Sequence, residues 1–279
     1  MPIAETDFDQ RQRNWATRNG LKCDAKEYLL GYEGNLLEPL SPLALRDLSS
    51  GNGSELNNKM RSLLRSSSAL AVNFFHYWSR LNWTEREPLH LALGCKHSIG
   101  DIRFEYKPSY PLPTFPPNLD VVLRFTDHTL QQSPYGVGIE SKLKEPLSDK
   151  VMDFRAGYSK DTWWANAGLP DCQQLVDDVM HGRIMFEYLG VDQLLKHTLG
   201  LATEFGDNFT LIYVSYDFAN EPARQQHLDE IQRFTARVSS EINFKAVTYQ
   251  DLYSSLVGEC ANVMGWHKPY LDKLAERYF

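Results

Sequence analysis

Two short apolar runs joined by a polar loop constrain this chain more than any other feature. LDVVLRF at 119–125 and GVGIESKL at 136–143 have the composition of strands inside a sheet, and Thr126 to Pro134 connect them. Each run carries charge where a buried strand should carry none. Asp120 starts the first; Glu140 and Lys142 sit two apart in the second, so the strand period sends both side chains to one face. Two carboxylates and an ammonium beside a sheet suit a divalent metal and an activated water. Asp120 and Glu140 are the expected direct ligands, with the backbone carbonyl of Ser141 as a third. Lys142, flanked by two acids, should stay protonated and orient the attacking water rather than serve as a free base.

An acid, any residue, then Lys occurs at Asp24-Ala25-Lys26, Glu105-Tyr106-Lys107 and Glu140-Ser141-Lys142. About one such match is expected by chance in a chain of this length. Only the third lies in an apolar run preceded by another apolar run with its own Asp. The plain alternative is an exposed hairpin with a surface Glu and Lys.

Asp120 followed by Glu140-Ser141-Lys142 resembles the signature of the PD-(D/E)XK nuclease superfamily, the restriction-endonuclease-like fold. SSSALAVNFF at 66–75, PNLD at 117–120, GIESK at 138–142 and QLLKH at 193–197 are similar to a subgroup of uncharacterised bacterial members. The likeness covers roughly residues 50 to 250. It implies an α/β fold with a mixed sheet flanked by helices, and phosphodiester hydrolysis dependent on Mg²⁺, with Mn²⁺ as a substitute. In that superfamily a Glu on the helix before the strands often reaches the metal, which points to Glu55 in its GlySerGluLeu context. The alternative for Glu55 is a first-turn acid favoured by the helix dipole. A Gln on the helix after the core strands lies beside the catalytic centre, which points to Gln193.

His197 is four residues beyond Gln193 and shares its helix face, whereas Lys196 lies off that face and should be exposed. The alternative is an exposed amide and a surface His. Glu105 competes for the site from the first strand, against a solvent-facing reading that is favoured. Asn73 belongs to the resemblance, but an Asn bridging two elements explains it equally well. Trp163-Trp164 could stack bases, although one buried and one half-exposed ring is the commoner arrangement. His90, Cys95 and His97 have no established metal-ligand spacing, and no Walker, GxGxxG, GxSxG or HExxH motif is present.

At 279 residues, 42% hydrophobic and 12% aromatic, the chain is expected to be globular. A net charge of −7 argues against a general DNA-coating role while leaving room for a local basic groove. No apolar run reaches the ~20 residues of a membrane span. Four scattered cysteines and a start without a hydrophobic signal region point to reduced thiols in a cytoplasmic protein.

Periodicity predicts an irregular first 50 residues, a helix over 54–66 capped by Ser54, and a second through Ala69, Val72, Phe75 and Trp78. Strands follow at 102–107, 119–125 and 136–143, then helices at 171–189 and 192–205, a strand at 209–216, a helix at 221–240, a strand at 244–248 and a helical end. Domain organisation is expected as an N-terminal extension over 1–50 packed on a restriction-endonuclease-like domain over 51–279. The expected function is a metal-dependent nuclease with a nucleic-acid partner, DNA foremost. The alternatives are a non-catalytic nucleic-acid- or protein-binding member of the same fold, and a carboxylate-pair hydrolase of another substrate such as a glycosidase, which has no need of Lys142.

Overall fold

The computed structural model describes residues 7–50, 55–95, 99–111, 117–125, 135–148, 152, 154, 158, 161–261 and 265–279. The expected Ser54 cap, the loop over 126–134 and His97 lie outside them. The chain divides into two compact units, one of residues 1–98 with 250–279 and one of residues 99–249.

The first unit is helical. It contains α1 (Asp7–Arg18), α2 (Pro42–Ser50), α3 (Ser67–Ser79), α4 (Glu87–Ala92), nearly all of α9 (Tyr249–Cys260), and α10 (Lys268–Tyr278). The first 50 residues therefore hold two helices where an irregular stretch was expected, while residues 19–41 between them carry no α-helix or strand. α1 buries Phe8, Gln12, Trp15 and Ala16, a helical spacing that an apolar-only pattern misses because Gln12 stands at a core position. Gln12 is buried because Arg277 of α10 needs it: the guanidinium donates to Gln12 Oε1 (3.2 Å), the Asn35 carbonyl (2.7 Å) and the Asn35 side chain, and lies 3.8 Å from the Trp15 ring centre.

The helix expected over 54–66 is also corrected. Residues 55–59 make one wide π turn and the chain then turns repeatedly until Ser66, whose hydroxyl accepts from Ala69 N–H and caps α3. Met60, Leu63 and Leu64 are buried all the same, so the apolar spacing reported burial rather than helix. Asn73 accepts from Leu37 N–H and donates to the Asn35 carbonyl and Tyr278, a bridging role within this unit.

The second unit is built on a five-stranded sheet in the order β1-β2-β3-β4-β5. The strands are β1 (Ile99–Tyr106), β2 (Leu119–Phe125), β3 (Tyr135–Lys142), β4 (Phe209–Ser215) and β5 (Asn243–Thr248). The first three pair antiparallel and the last three parallel, so the sheet is mixed, with helices α5 (Asp161–Asn166), α6 (Pro170–Met180), α7 (Val191–Phe205) and α8 (Arg224–Val238). α6 ends nine residues short of the expected 189, with Gly182 at φ +67° in the turn that follows. Trp164 is buried and Trp163 half-buried, the commoner arrangement for such a pair.

β3 and α7 determine the geometry of this unit. Gly136, Gly138, Glu140 and Lys142 share one face of β3. Running the other way along α7, Phe205, Leu201, His197 and Gln193 meet them in turn. A Cβ on Gly136 would sit 2.6 Å from the Phe205 ring, and one on Gly138 2.7 Å from Leu201 Cδ1. The glycines let the helix lie close, and the closeness brings its polar end to Glu140 and Lys142.

The segment entering α7 is pinned as well. Buried Glu230 of α8 accepts the N–H groups of Glu187, Tyr188 and Leu189 at 2.8–2.9 Å. Gly136→Ala should therefore lower unfolding free energy by about 1–3 kcal/mol, as overpacking does. Urea denaturation with an unchanged m-value checks it, and a loss within about 0.5 kcal/mol would contradict the close packing.

Candidate active site

Register assembles the acids. Val121 pairs with Ile139 and Phe104 with Val121, so one step further along β2 places Asp120 opposite both Glu140 and Glu105. Glu140 in turn pairs with Tyr213 of β4. Directly opposed residues share a face, so Glu105, Asp120, Glu140 and Tyr213 form one polar row across four strands.

Glu105 is buried, not solvent-facing. Its φ is +45°, a left-handed conformation that a Glu rarely adopts. Asn118 Nδ2 donates to its carboxylate at 3.2 Å.

Glu140 is the centre of the row and is 1% exposed. Lys142 Nζ approaches one carboxylate oxygen and His197 Nε2 lies 2.8 Å from the other, yet neither contact has hydrogen-bond angles. Lys142 Nζ also donates to Gln193 Oε1 at 3.0 Å. Asp120 Oδ2 accepts the Ser141 N–H at 2.7 Å, which ties the two strands together beside the acids. On the opposite face the Ser141 hydroxyl meets Tyr249 OH at 2.7 Å.

Asp120, Glu140, Ser141, Lys142, Gln193 and His197 are thus in one place. His197 is fully buried against Glu140, so it is not a surface His. Lys196 is half-buried rather than exposed: it pairs with Asp192 at 3.0 Å and lies over the Phe154 and Tyr158 rings. Glu55 belongs to the helical unit, where it is buried and engaged by Ser68 (2.7 Å) and Lys59. Tyr213 was not singled out from the sequence; its phenol is the polar tip in the otherwise apolar LIYV, the signal that pointed to it.

The electrostatics follow from this crowding. Burial and the neighbouring Glu140 raise the Asp120 pKa well above the usual carboxylate range, against the pull of Lys142 and the Ser141 N–H. Burial also works against Glu140 as an anion, but Lys142 and His197 outweigh it and hold its pKa down to about 2. Burial disfavours the Lys142 ammonium, yet Glu140, Asp120 and Glu145 more than offset this and raise its pKa. The site therefore holds a carboxylate, an ammonium and a second carboxyl that resists ionisation until more positive charge arrives.

A family model described as Restriction Endonuclease associating with ARP matches residues 3–279. The chain belongs to that family. No curated protein and no solved structure matches the chain significantly. The mixed sheet flanked by helices is compatible with the restriction-endonuclease-like fold implied by family membership. No helix among the described residues is long and apolar enough to cross a membrane.

Above the ordinary Asp pKa of 3.8 the unfolded chain releases the Asp120 proton before the folded chain does. Stability should therefore fall as pH rises through that window. In EDTA, Asp120→Asn should raise Tm at neutral pH and flatten this fall. A lower Tm across the whole range would contradict the charge crowding.

Proposed function

We propose that this protein is a metal-dependent nuclease that hydrolyses phosphodiester bonds, with DNA as its substrate. The observation that carries the reading is the facing pair Asp120 and Glu140 with Lys142 two residues on, in a chain of a restriction-endonuclease family. The two carboxylates suit Mg²⁺, which takes one or two carboxylates and keeps waters and substrate oxygens as its other ligands. Among the described residues no three His, Cys, Asp or Glu side chains form a metal-holding group, so the proposed ion would rest on the two carboxylates and backbone or water oxygens. The resistance of Asp120 to ionisation supports the fit, because a cation beside the two carboxylates would offset the burial and like charge that cause it.

Asp120, Glu140 and the Ser141 carbonyl would hold the ion, with Mn²⁺ as a substitute. When bound, it supplies a more acidic water and charge stabilisation on the phosphate. The chain's own residues do the rest. Lys142, kept as an ammonium, orients the water and faces the negative charge that develops on the phosphate. Gln193 fixes the lysine by accepting its N–H. His197 braces Glu140 from behind and is a positioning residue.

Glu140→Ala should abolish Mg²⁺-dependent cleavage of DNA, and Lys142→Ala should lower it by about 10²–10⁴-fold, each with an unchanged circular dichroism spectrum. Nuclease activity that survives in purified Glu140→Ala protein would defeat the proposal. Hydrolysis of glycosides with no action on nucleic acid would favour the carboxylate-pair alternative.

A further inference from the structure

We infer that Glu230 of α8 is a positioning residue for the proposed reaction: it anchors the chain entering α7 so that Gln193 meets Lys142. This inference rests on the nuclease reading and extends it to a residue outside the site.

Glu230 is fully buried, and its carboxylate accepts three successive backbone N–H groups, those of Glu187, Tyr188 and Leu189, at 2.8–2.9 Å. Arg233, one turn on in α8, lies 3.6 Å from the carboxylate and covers the Phe186 ring. Burying a carboxylate is a costly way to satisfy three N–H groups that water could serve. What the charge adds is short, directional hydrogen bonds. Phe186, Leu189 and Val191 are buried too, but apolar burial holds a segment against the core without setting its direction.

From that anchor to the candidate active site the backbone is short and hydrogen-bonded throughout. Only Gly190, Val191 and Asp192 separate Leu189 from Gln193. The Leu189 carbonyl accepts the Val191 N–H at 2.8 Å, and the Gly190 carbonyl accepts those of Gln193 and Leu194 at 3.1 Å. Gly190 has no side chain to cap α7, so the helix takes its start from the anchored segment. Gln193 Oε1 then accepts from Lys142 Nζ at 3.0 Å.

α8 holds the other side of the site as well. His227, three residues before Glu230 on the same face of α8, is hydrogen-bonded to Tyr213 OH at 3.0 Å. Tyr213 stands beside Glu140 in the polar row. One helix face thus ties the strand next to Glu140 to the segment that delivers Gln193, and so sets the spacing between them.

The test is a double-mutant cycle on DNA cleavage by the full-length protein in Mg²⁺, with Glu230→Gln and Gln193→Ala, at a temperature where every variant is folded. Glu230→Gln should lower kcat by about tenfold or more with KM unchanged, as small misplacements near reacting groups do. In the Gln193→Ala background the same substitution should change kcat by less than about twofold. A second reading, taken in EDTA, needs no cleavage. In lysine-labelled protein the ¹³Cε and ¹⁵Nζ resonances of Lys142, identified by their loss in Lys142→Arg, should move in Glu230→Gln as they do in Gln193→Ala. Should Glu230→Gln fail to fold, Glu230→Asp, which is one methylene too short to reach all three N–H groups, takes its place in both readings. Effects on kcat that multiply, or Lys142 resonances that keep their wild-type positions in a folded Glu230 variant, overturn the positioning role. A wild-type protein that cleaves no nucleic acid strikes the nuclease reading alone, and the resonances still decide the link from Glu230 to Lys142.

Discussion

The contact on which the rest of the sheet unit depends is the lie of α7 along β3. Two strand residues advance about 6.6 Å and four helix residues about 6 Å, so a helix laid antiparallel to a strand stays nearly in step with it for several repeats. In this chain the steps are Gly136 with Phe205, Gly138 with Leu201, Glu140 with His197 and Lys142 with Gln193. At one end the match buries aromatic and aliphatic surface over bare glycine backbone. At the other it delivers an imidazole and an amide to a carboxylate and an ammonium. The same interdigitation that stabilises the unit aims its polar groups.

Chemistry and stability oppose each other at that polar end. Asp120 faces Glu140 across the strands, and burial with like charge keeps it from ionising readily. A sheet built only to be stable would place apolar residues in such a row, as LDVVLRF does at all five of its buried positions. On the proposed function, a bound cation would account for the retained charges, including a Glu105 held in a strained backbone conformation.

Much of this was legible in the sequence, and the failures have definite causes. Strand β2 was read to the residue, because uninterrupted apolar composition between turn formers leaves little freedom. That Glu140 and Lys142 share a face was legible, since the period of two determines side-chain direction in a regular strand. Glu105 was misread because the period says which residues share a face but not that this face of β1 is buried beside Asp120. Helix α1 was missed because its core position 12 holds a glutamine that only Arg277, 265 residues away, explains. The spacing of Gln193 and His197 showed a shared face, but not that the face was buried on β3; the glycines at 136 and 138 were the unread signal.

The account stands on Asp120 and Glu140 sharing one hard cation. A crystal of the protein soaked in Mn²⁺, examined by anomalous scattering, tests this most directly. The account predicts a peak at roughly 2.0–2.3 Å from a carboxylate oxygen of each residue, with Lys142 Nζ outside the coordination sphere. Carboxylates aimed to opposite sides of the sheet, or a fully occupied ion that touches neither, would contradict it.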